Sequence, residues 1–151
     1  MHWILFFSGL ILDQASKLIV AKTLPYQETV TVIPWLIDFF YVKNSGASFS
    51  ILQGKTVFLI IFSAISLLAI FYIIFRLPKE QKLLRCAFSV LAAGALGNLV
   101  DRIRVNAVID FIKLHFFPAF PIFNIADCLI VCSIAVIAWQ VLWPHKGEGA
   151  L

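Results

Sequence analysis

Two aspartates stand where aspartate is costly. Asp110 lies in Val108-Ile109-Asp110-Phe111-Ile112 and Asp127 in Phe123-Asn124-Ile125-Ala126-Asp127, each a single carboxylate among apolar neighbours. Ionisable groups at membrane depth carry a large desolvation cost, so they are seldom there without a task. Two such carboxylates brought together share one proton, because like charges side by side cannot both ionise cheaply. The ionised one can then activate a water while the protonated one polarises a carbonyl. That is the chemistry of aspartic hydrolysis.

Other polar residues sit in apolar stretches too. Asp13 and Lys17 are four apart and share a helix face. They form either a salt bridge that hides two charges from lipid or a clamp that supports a site. Asn98, Asp101 and Arg102 follow the run Ala93-Gly94-Ala95-Leu96-Gly97, whose small residues let helices approach closely. They read as a packing seam capped by an interfacial ion pair, or else Arg102 reaches a phosphate or a substrate carbonyl. Asn44-Ser45-Gly46-Ala47-Ser48-Phe49 is a small polar turn before the second helix, which taken alone reads as an ordinary loop. Cys86, Cys128 and Cys132 are odd in number and fall in apolar helical stretches, where free cysteine serves as a small packing residue. They supply too few ligands for a metal centre.

These groups need elements to position them, and the composition says what kind. Of 151 residues, 62% are hydrophobic and 13% charged, with a mean hydropathy of +0.97. A soluble domain is nearer half apolar and a quarter charged. A crossing helix takes roughly 20 apolar residues. Four such stretches are predicted, at about 3–22, 56–75, 84–102 and 123–143, within a single domain spanning 1–151. The net charge of +4 is small and scattered, which argues against a nucleic-acid partner. The N-terminal stretch lacks a basic start and a small-residue cleavage site, so it reads as a retained helix and not a removed leader.

The dense basic stretch Arg76–Arg85 joins the second and third helices and reads as a cytoplasmic loop. Alternation then puts both termini inside, with Lys146 in agreement. Trp3, Tyr72 and Trp143 fall near the inner ends, where amphipathic rings favour the interface. Segments 23–54 and 103–122 face outward. The first holds Thr29-Val30-Thr31-Val32 and Phe39-Phe40-Tyr41-Val42, both strand-like, so a small antiparallel sheet is expected there. The expected fold class is an all-α polytopic membrane protein with a small extracytoplasmic β-sheet region. Pro118 and Pro121 punctuate the approach to the fourth helix.

This topology brings Asp13, Lys17, Asn98, Asp101, Arg102, Asp110, Asn124 and Asp127 to the same outer end of the bundle. No Ser-His or Cys-His arrangement competes: His2 and His145 lie toward the inner face, and His115 has no nucleophile pattern near it. A rival reading is a small four-helix transporter, with carboxylates that bind cations or relay protons. Transporters hold such groups at the midplane of symmetric assemblies. Here they gather at one face, and the second helix carries none.

At these residues the chain resembles the lipoprotein signal peptidases (signal peptidase II). Asp13-Gln14-Ala15-Ser16-Lys17 resembles the family's D-Q-x-x-K block, and Asn44 to Phe49 its N-x-G-A-x-F block. Gly94-Ala95-Leu96-Gly97-Asn98-Leu99-Val100-Asp101-Arg102 resembles its G-A-x-G-N-x-x-D-R block. The stretches around Asp110 and Asp127 resemble the two blocks that carry its catalytic aspartates. Ser48 and Ala93 depart from the commoner alanine and glycine, away from the carboxylates. The resemblance implies four membrane helices and a bacterial inner-membrane protease whose active site lies near the outer face. It implies Asp110 and Asp127 as a catalytic dyad, with Asn44, Asn98, Arg102 and Asn124 as substrate-positioning neighbours. Asp13, Lys17 and Asp101 are then structural support. The implied substrate is a diacylglyceryl-modified prolipoprotein cleaved just before its lipidated cysteine. No metal or organic cofactor is implied. Membrane lipid and globomycin-type peptide inhibitors are the other expected partners, and the chain is expected to act as a monomer.

Overall fold

The computed structural model describes residues 1–46 and 51–143. Ala47, Ser48, Phe49 and Ser50 of the small polar turn, and His145 and Lys146, lie outside the described residues. The chain forms α1 (His2–Thr23), β1 (Thr29–Ile33), β2 (Ile37–Asn44), α2 (Thr56–Arg76), α3 (Lys82–Val105), β3 (Val108–Leu114) and α4 (Ile125–Leu142). All four helices are long and apolar enough to cross a membrane. Each starts and stops within a few residues of its expected position.

The helix ends follow local chemistry. α1 stops at Leu24, which is extended ahead of Pro25, since a residue before proline disfavours the helical region. α2 ends at Leu77, also before a proline. α3 closes on Asn106 in the left-handed conformation (φ 57°), a role asparagine fills when glycine is absent. That reversal sends the chain directly into β3.

α3 is the central helix, packed against α1, α2 and α4, whereas α2 and α4 flank it without packing closely on each other. Its small residues permit this. Ala92 and Ala93 are fully buried. A Cβ on Gly94 would come within 2.5 Å of the Ala126 carbonyl oxygen of α4 and 2.9 Å of Ile130 Cγ1. A Cβ on Gly97 would strike the Asp13 carboxylate. The lipid-facing side is as apolar as the core: Val57, Ile61, Ile65 and Leu68 of α2 are all exposed, as expected for a helix hydrophobic all round.

The three strands form one antiparallel sheet in the order β1-β2-β3. Two positions differ from expectation. Asp110, expected in an irregular connection, lies on β3 opposite Val42. Its β-branched and aromatic neighbours favour a strand, and Val108, Ile109, Asp110 and Phe111 are all buried. Asn44, expected in a turn, is the last residue of β2 and pairs with Val108.

Gly94→Ala should wedge α3 from α4 and destabilise the protein by about 1–3 kcal/mol. A lowered midpoint in thermal unfolding of the detergent-solubilised protein is the measurement. An unchanged midpoint would mean that the α3–α4 approach is looser than described.

Candidate active site

The site begins with a helix cap. Asn124 precedes α4 with an extended backbone, and its side-chain oxygen accepts from Asp127 N at 3.0 Å. Asp127 returns Oδ2 to Asn124 N at 3.1 Å, which completes a capping box. With its oxygen used this way, the Asn124 amide turns its NH2 elsewhere. It donates to Asp110 Oδ1 at 2.6 Å and to Asn98 Oδ1 at 3.3 Å. One residue therefore touches both aspartates.

Asn98 on α3 donates from Nδ2 to Asp127 Oδ1 at 2.9 Å, and Asn44 on β2 donates from Nδ2 to Asp110 Oδ2 at 3.0 Å. Each of the four carboxylate oxygens thus receives an N–H donor. Each of these oxygens can accept a further hydrogen bond.

Behind this layer sits Lys17, 1% exposed. Its ammonium lies 3.0 Å from Asp13 Oδ2, 2.9 Å from Asp101 Oδ2 and 2.9 Å from Asn98 Oδ1. A lysine ammonium only donates, so it fixes which end of the Asn98 amide faces Asp127. The two acids it bridges hold backbone next to the aspartate pair. Asp13 Oδ1 accepts from Ala126 N at 2.9 Å, one residue before Asp127. Asp101 Oδ2 accepts from Ile109 N at 3.2 Å, one residue before Asp110. Asp101 therefore pairs with Lys17 across the helices, and the capping pair with Arg102 is not formed. Arg102 instead donates from Nη2 to Gly46 O at 3.2 Å, a carbonyl of the chain itself.

Gln14 completes the cluster, and sequence reasoning did not single it out as a site residue. Its Nε2 lies 3.1 Å from Asp13 Oδ2, 3.2 Å from Gly97 O and 3.2 Å from Asp101 Oδ1. A neutral amide within an apolar span, directly after Asp13, was the available signal.

Asp110 lies on the sheet, beyond the helices. Burial, and then the negative charge of Asp127, push its carboxyl up to about 7 against the opposing bonds from Asn44 and Asn124.

The two aspartates line a cleft of about 1130 Å³ whose other walls are mostly apolar. Phe58, Phe62, Ser63 and Ser66 of α2 form one side, and Cys128, Val131 and Cys132 of α4 the other. Leu91, Ala95, Asn98 and Arg102 of α3 form the floor, and no residue of α1 takes part. The cleft lies where α2 and α4 part. Cys128 and Cys132 are free thiols, and Cys132 is exposed. Among the described residues no group of three or more His, Cys, Asp or Glu is placed to hold a metal.

Four spanning helices and an aspartate-lined, mostly apolar cleft open between two of them define a polytopic membrane protein. The model of the Signal peptidase (SPase) II family matches residues 5–143. A lipoprotein signal peptidase of Clostridium tetani (strain Massachusetts / E88) is 39% identical over 132 residues, covering 86% of this chain and 85% of that one. That of Staphylococcus aureus (strain JH9) is 38% identical over 133 residues, covering 87% and 82%. A solved bacterial membrane enzyme, determined in meso at 2.3 Å, superposes with a TM-score of 0.90 at 33% identity, covering 99% of this chain and 93% of that one. The chain belongs to the lipoprotein signal peptidase (signal peptidase II) family.

Two substitutions at Asn124 separate its roles. Serine keeps a capping oxygen, so Asn124→Ser should retain thermal stability, whereas Asn124→Ala should cost about 1 kcal/mol. Both lose the donor to Asp110, and both should lose most lipoprotein cleavage. Full activity in Asn124→Ser would show that the Asn124–Asp110 bond is dispensable.

Proposed function

We propose that this chain is an intramembrane aspartic endopeptidase that removes the signal peptide from diacylglyceryl-modified prolipoproteins, cleaving before the lipidated cysteine. The observation that carries this reading is the engagement of both carboxylates by the single residue Asn124. Asp110 and Asp127 act as a dyad. The ionised carboxylate, Asp127, takes a proton from a water, and the hydroxide attacks the scissile carbonyl carbon. Protonated Asp110 gives its proton to the carbonyl oxygen. The gem-diol intermediate collapses as the C–N bond breaks: one of its hydroxyls returns a proton to Asp110, and the proton held by Asp127 passes to the departing cysteine amine. The products are a signal peptide ending in a carboxylic acid and a lipidated cysteine with a free amine.

The cleft suits such a substrate. A signal helix fits between α2 and α4, and its lipid chains rest on bilayer-facing apolar surface. Asn44, Asn98 and Asn124 border the scissile position and hold the carboxylates in register. Arg102, which lines the cleft, holds the Gly46 carbonyl just after β2, and Asp13, Lys17 and Asp101 support the layer beneath. The reading needs no metal or organic cofactor. Globomycin-type peptides would occupy the same cleft, and the protein would act as a monomer.

Asp110→Asn and Asp127→Asn should each abolish cleavage of a lipidated prolipoprotein by purified protein, with the double variant scarcely worse, because the pair acts as a unit. Turnover should also fall as pH rises through about 7, where Asp110 loses its proton. The stability sign follows from the same shift. Folded Asp110 keeps its proton well above the ordinary carboxylate range, so the wild type gains stability below that range and loses it as pH rises toward about 7. Asp110→Asn should lack that decline. Substantial turnover by either single variant would remove the dyad.

The orientation is proposed with both termini in the cytoplasm and the cleft near the outer face of the inner membrane. It rests on the short basic connection between α2 and α3, a tight turn in which Arg85 donates to Leu77 O. Membrane-impermeant labelling of single cysteines placed in that connection and in the β1–β2 turn tests it. Outside labelling should reach the turn alone, and the reverse pattern would invert the topology.

A further inference from the structure

The far end of the sheet carries large apolar side chains that the described residues leave exposed. Trp35, in the turn between β1 and β2, is 81% exposed, and Leu36 beside it 46%. Phe116, Phe117 and Phe120, in the segment after β3, are 63%, 50% and 41% exposed. Residues 114–123 read Leu-His-Phe-Phe-Pro-Ala-Phe-Pro-Ile-Phe, and 32–37 read Val-Ile-Pro-Trp-Leu-Ile, with no Asp, Glu, Lys or Arg in either stretch. A water-facing loop seldom exposes a patch of that kind.

The two stretches form one surface. His115 N donates to Leu36 O at 3.0 Å, and the Trp35 and His115 rings lie 6.1 Å apart, edge to face. His115 Nδ1 lies 2.9 Å from Asp38 Oδ2, which ties the segment back to β2. From there a row of rings runs toward the membrane helices. Phe117 meets Phe120 at 6.0 Å, and Phe120 meets Phe123 at 5.7 Å, one residue before the cap of α4. The patch is thus continuous with the end of a spanning helix. The turn also presents its indole outward. Leu36 N bonds to Ile33 O at 3.1 Å, and Trp35 takes a positive φ of 67°, where glycine is the easier residue.

We propose that the Trp35 turn and the aromatic segment 116–120 are inserted into the interfacial layer of the leaflet on the sheet side, as a second membrane contact besides the four helices. Bilayer lipid is the occupant that the continuity with α4 and the lack of charge favour. Trp prefers this layer because its apolar body and its N–H find different surroundings there. Phe120 also lines the cleft, so the anchor fixes one rim of the opening between α2 and α4 at headgroup depth.

The test is quenching of Trp35 fluorescence in the full-length Trp3→Phe/Trp139→Phe/Trp143→Phe variant, reconstituted in phosphatidylcholine vesicles. Bromine placed near the headgroup end of the acyl chains should quench strongly, bromine near the chain ends less, and aqueous iodide weakly. Strong iodide quenching without bromolipid quenching would place Trp35 in water and overturn the proposal. Insensitivity to both would mean that protein, such as a second copy of the chain, covers the patch, and would overturn it too. Should the triple variant not fold, wild-type protein labelled with fluorotryptophan gives the same reading by ¹⁹F NMR. Trp35→Phe then serves only to assign the resonance, and lipid-borne and aqueous paramagnetic agents replace the quenchers.

Discussion

A single ammonium group, that of Lys17, bridges two buried carboxylates at once, and the geometry of the site depends on it. Taking an ion out of water costs several kcal/mol even after the protein relaxes around it. Asp13, Asp101 and Lys17 meet that cost together, with ammonium–carboxylate distances of 3.0 and 2.9 Å and near-complete burial. Each acid keeps a lone pair for a backbone N–H, at Ala126 and at Ile109. The cluster thereby joins α1, α3, α4 and β3, and it does so at the residues immediately before Asp127 and Asp110. The third Lys17 contact orients the Asn98 amide. Position, backbone and hydrogen-bond polarity of the proposed dyad all return to one side chain.

That arrangement divides the bundle. α1, α3 and α4 are joined by buried polar bonds and by the close approach at Gly94 and Gly97, so they form a stiff block that holds the carboxylates. α2 packs on α3 mainly through apolar contacts and supplies the opposite wall of the cleft. Under the proposed function, a signal helix entering laterally would need such a division: rigid where proton transfer demands close placement, open where an apolar segment must enter. The sheet closes the upper end. β3 brings Asp110 in at a fixed register, and β2 brings Asn44 beside it.

Much of this was legible in the residues. The long apolar runs marked the four helices, and alternation of their directions alone put Asp13, Lys17, Asn98, Asp101 and Asp127 at one end. The Asn124–Asp127 capping box was encoded in the spacing but not read from it, since the fourth helix was expected to begin at about 123, inside the cap. Other features were not legible. β3 is short and buried on a stretch where a strand and an apolar connection read alike, so Asp110 was expected outside regular structure. Asp101 has Arg102 beside it in sequence, yet adjacent residues on a helix point apart, and its partner comes from another helix. The roles of Gln14 and of the Asn98 amide orientation depend on partners 80 or more positions away, which no local pattern encodes.

The central claim is that the scissile carbonyl sits between Asp110 and Asp127. The measurement that meets it most directly is a crystal structure of the protein with a lipobox peptide in which a hydroxyl-bearing tetrahedral carbon replaces the scissile carbonyl. The account expects that hydroxyl within hydrogen-bond reach of a carboxylate oxygen of Asp110 and one of Asp127, with the flanking peptide along the α2–α4 cleft. A hydroxyl that contacts only one aspartate or neither, in a ligand otherwise well ordered, would contradict it.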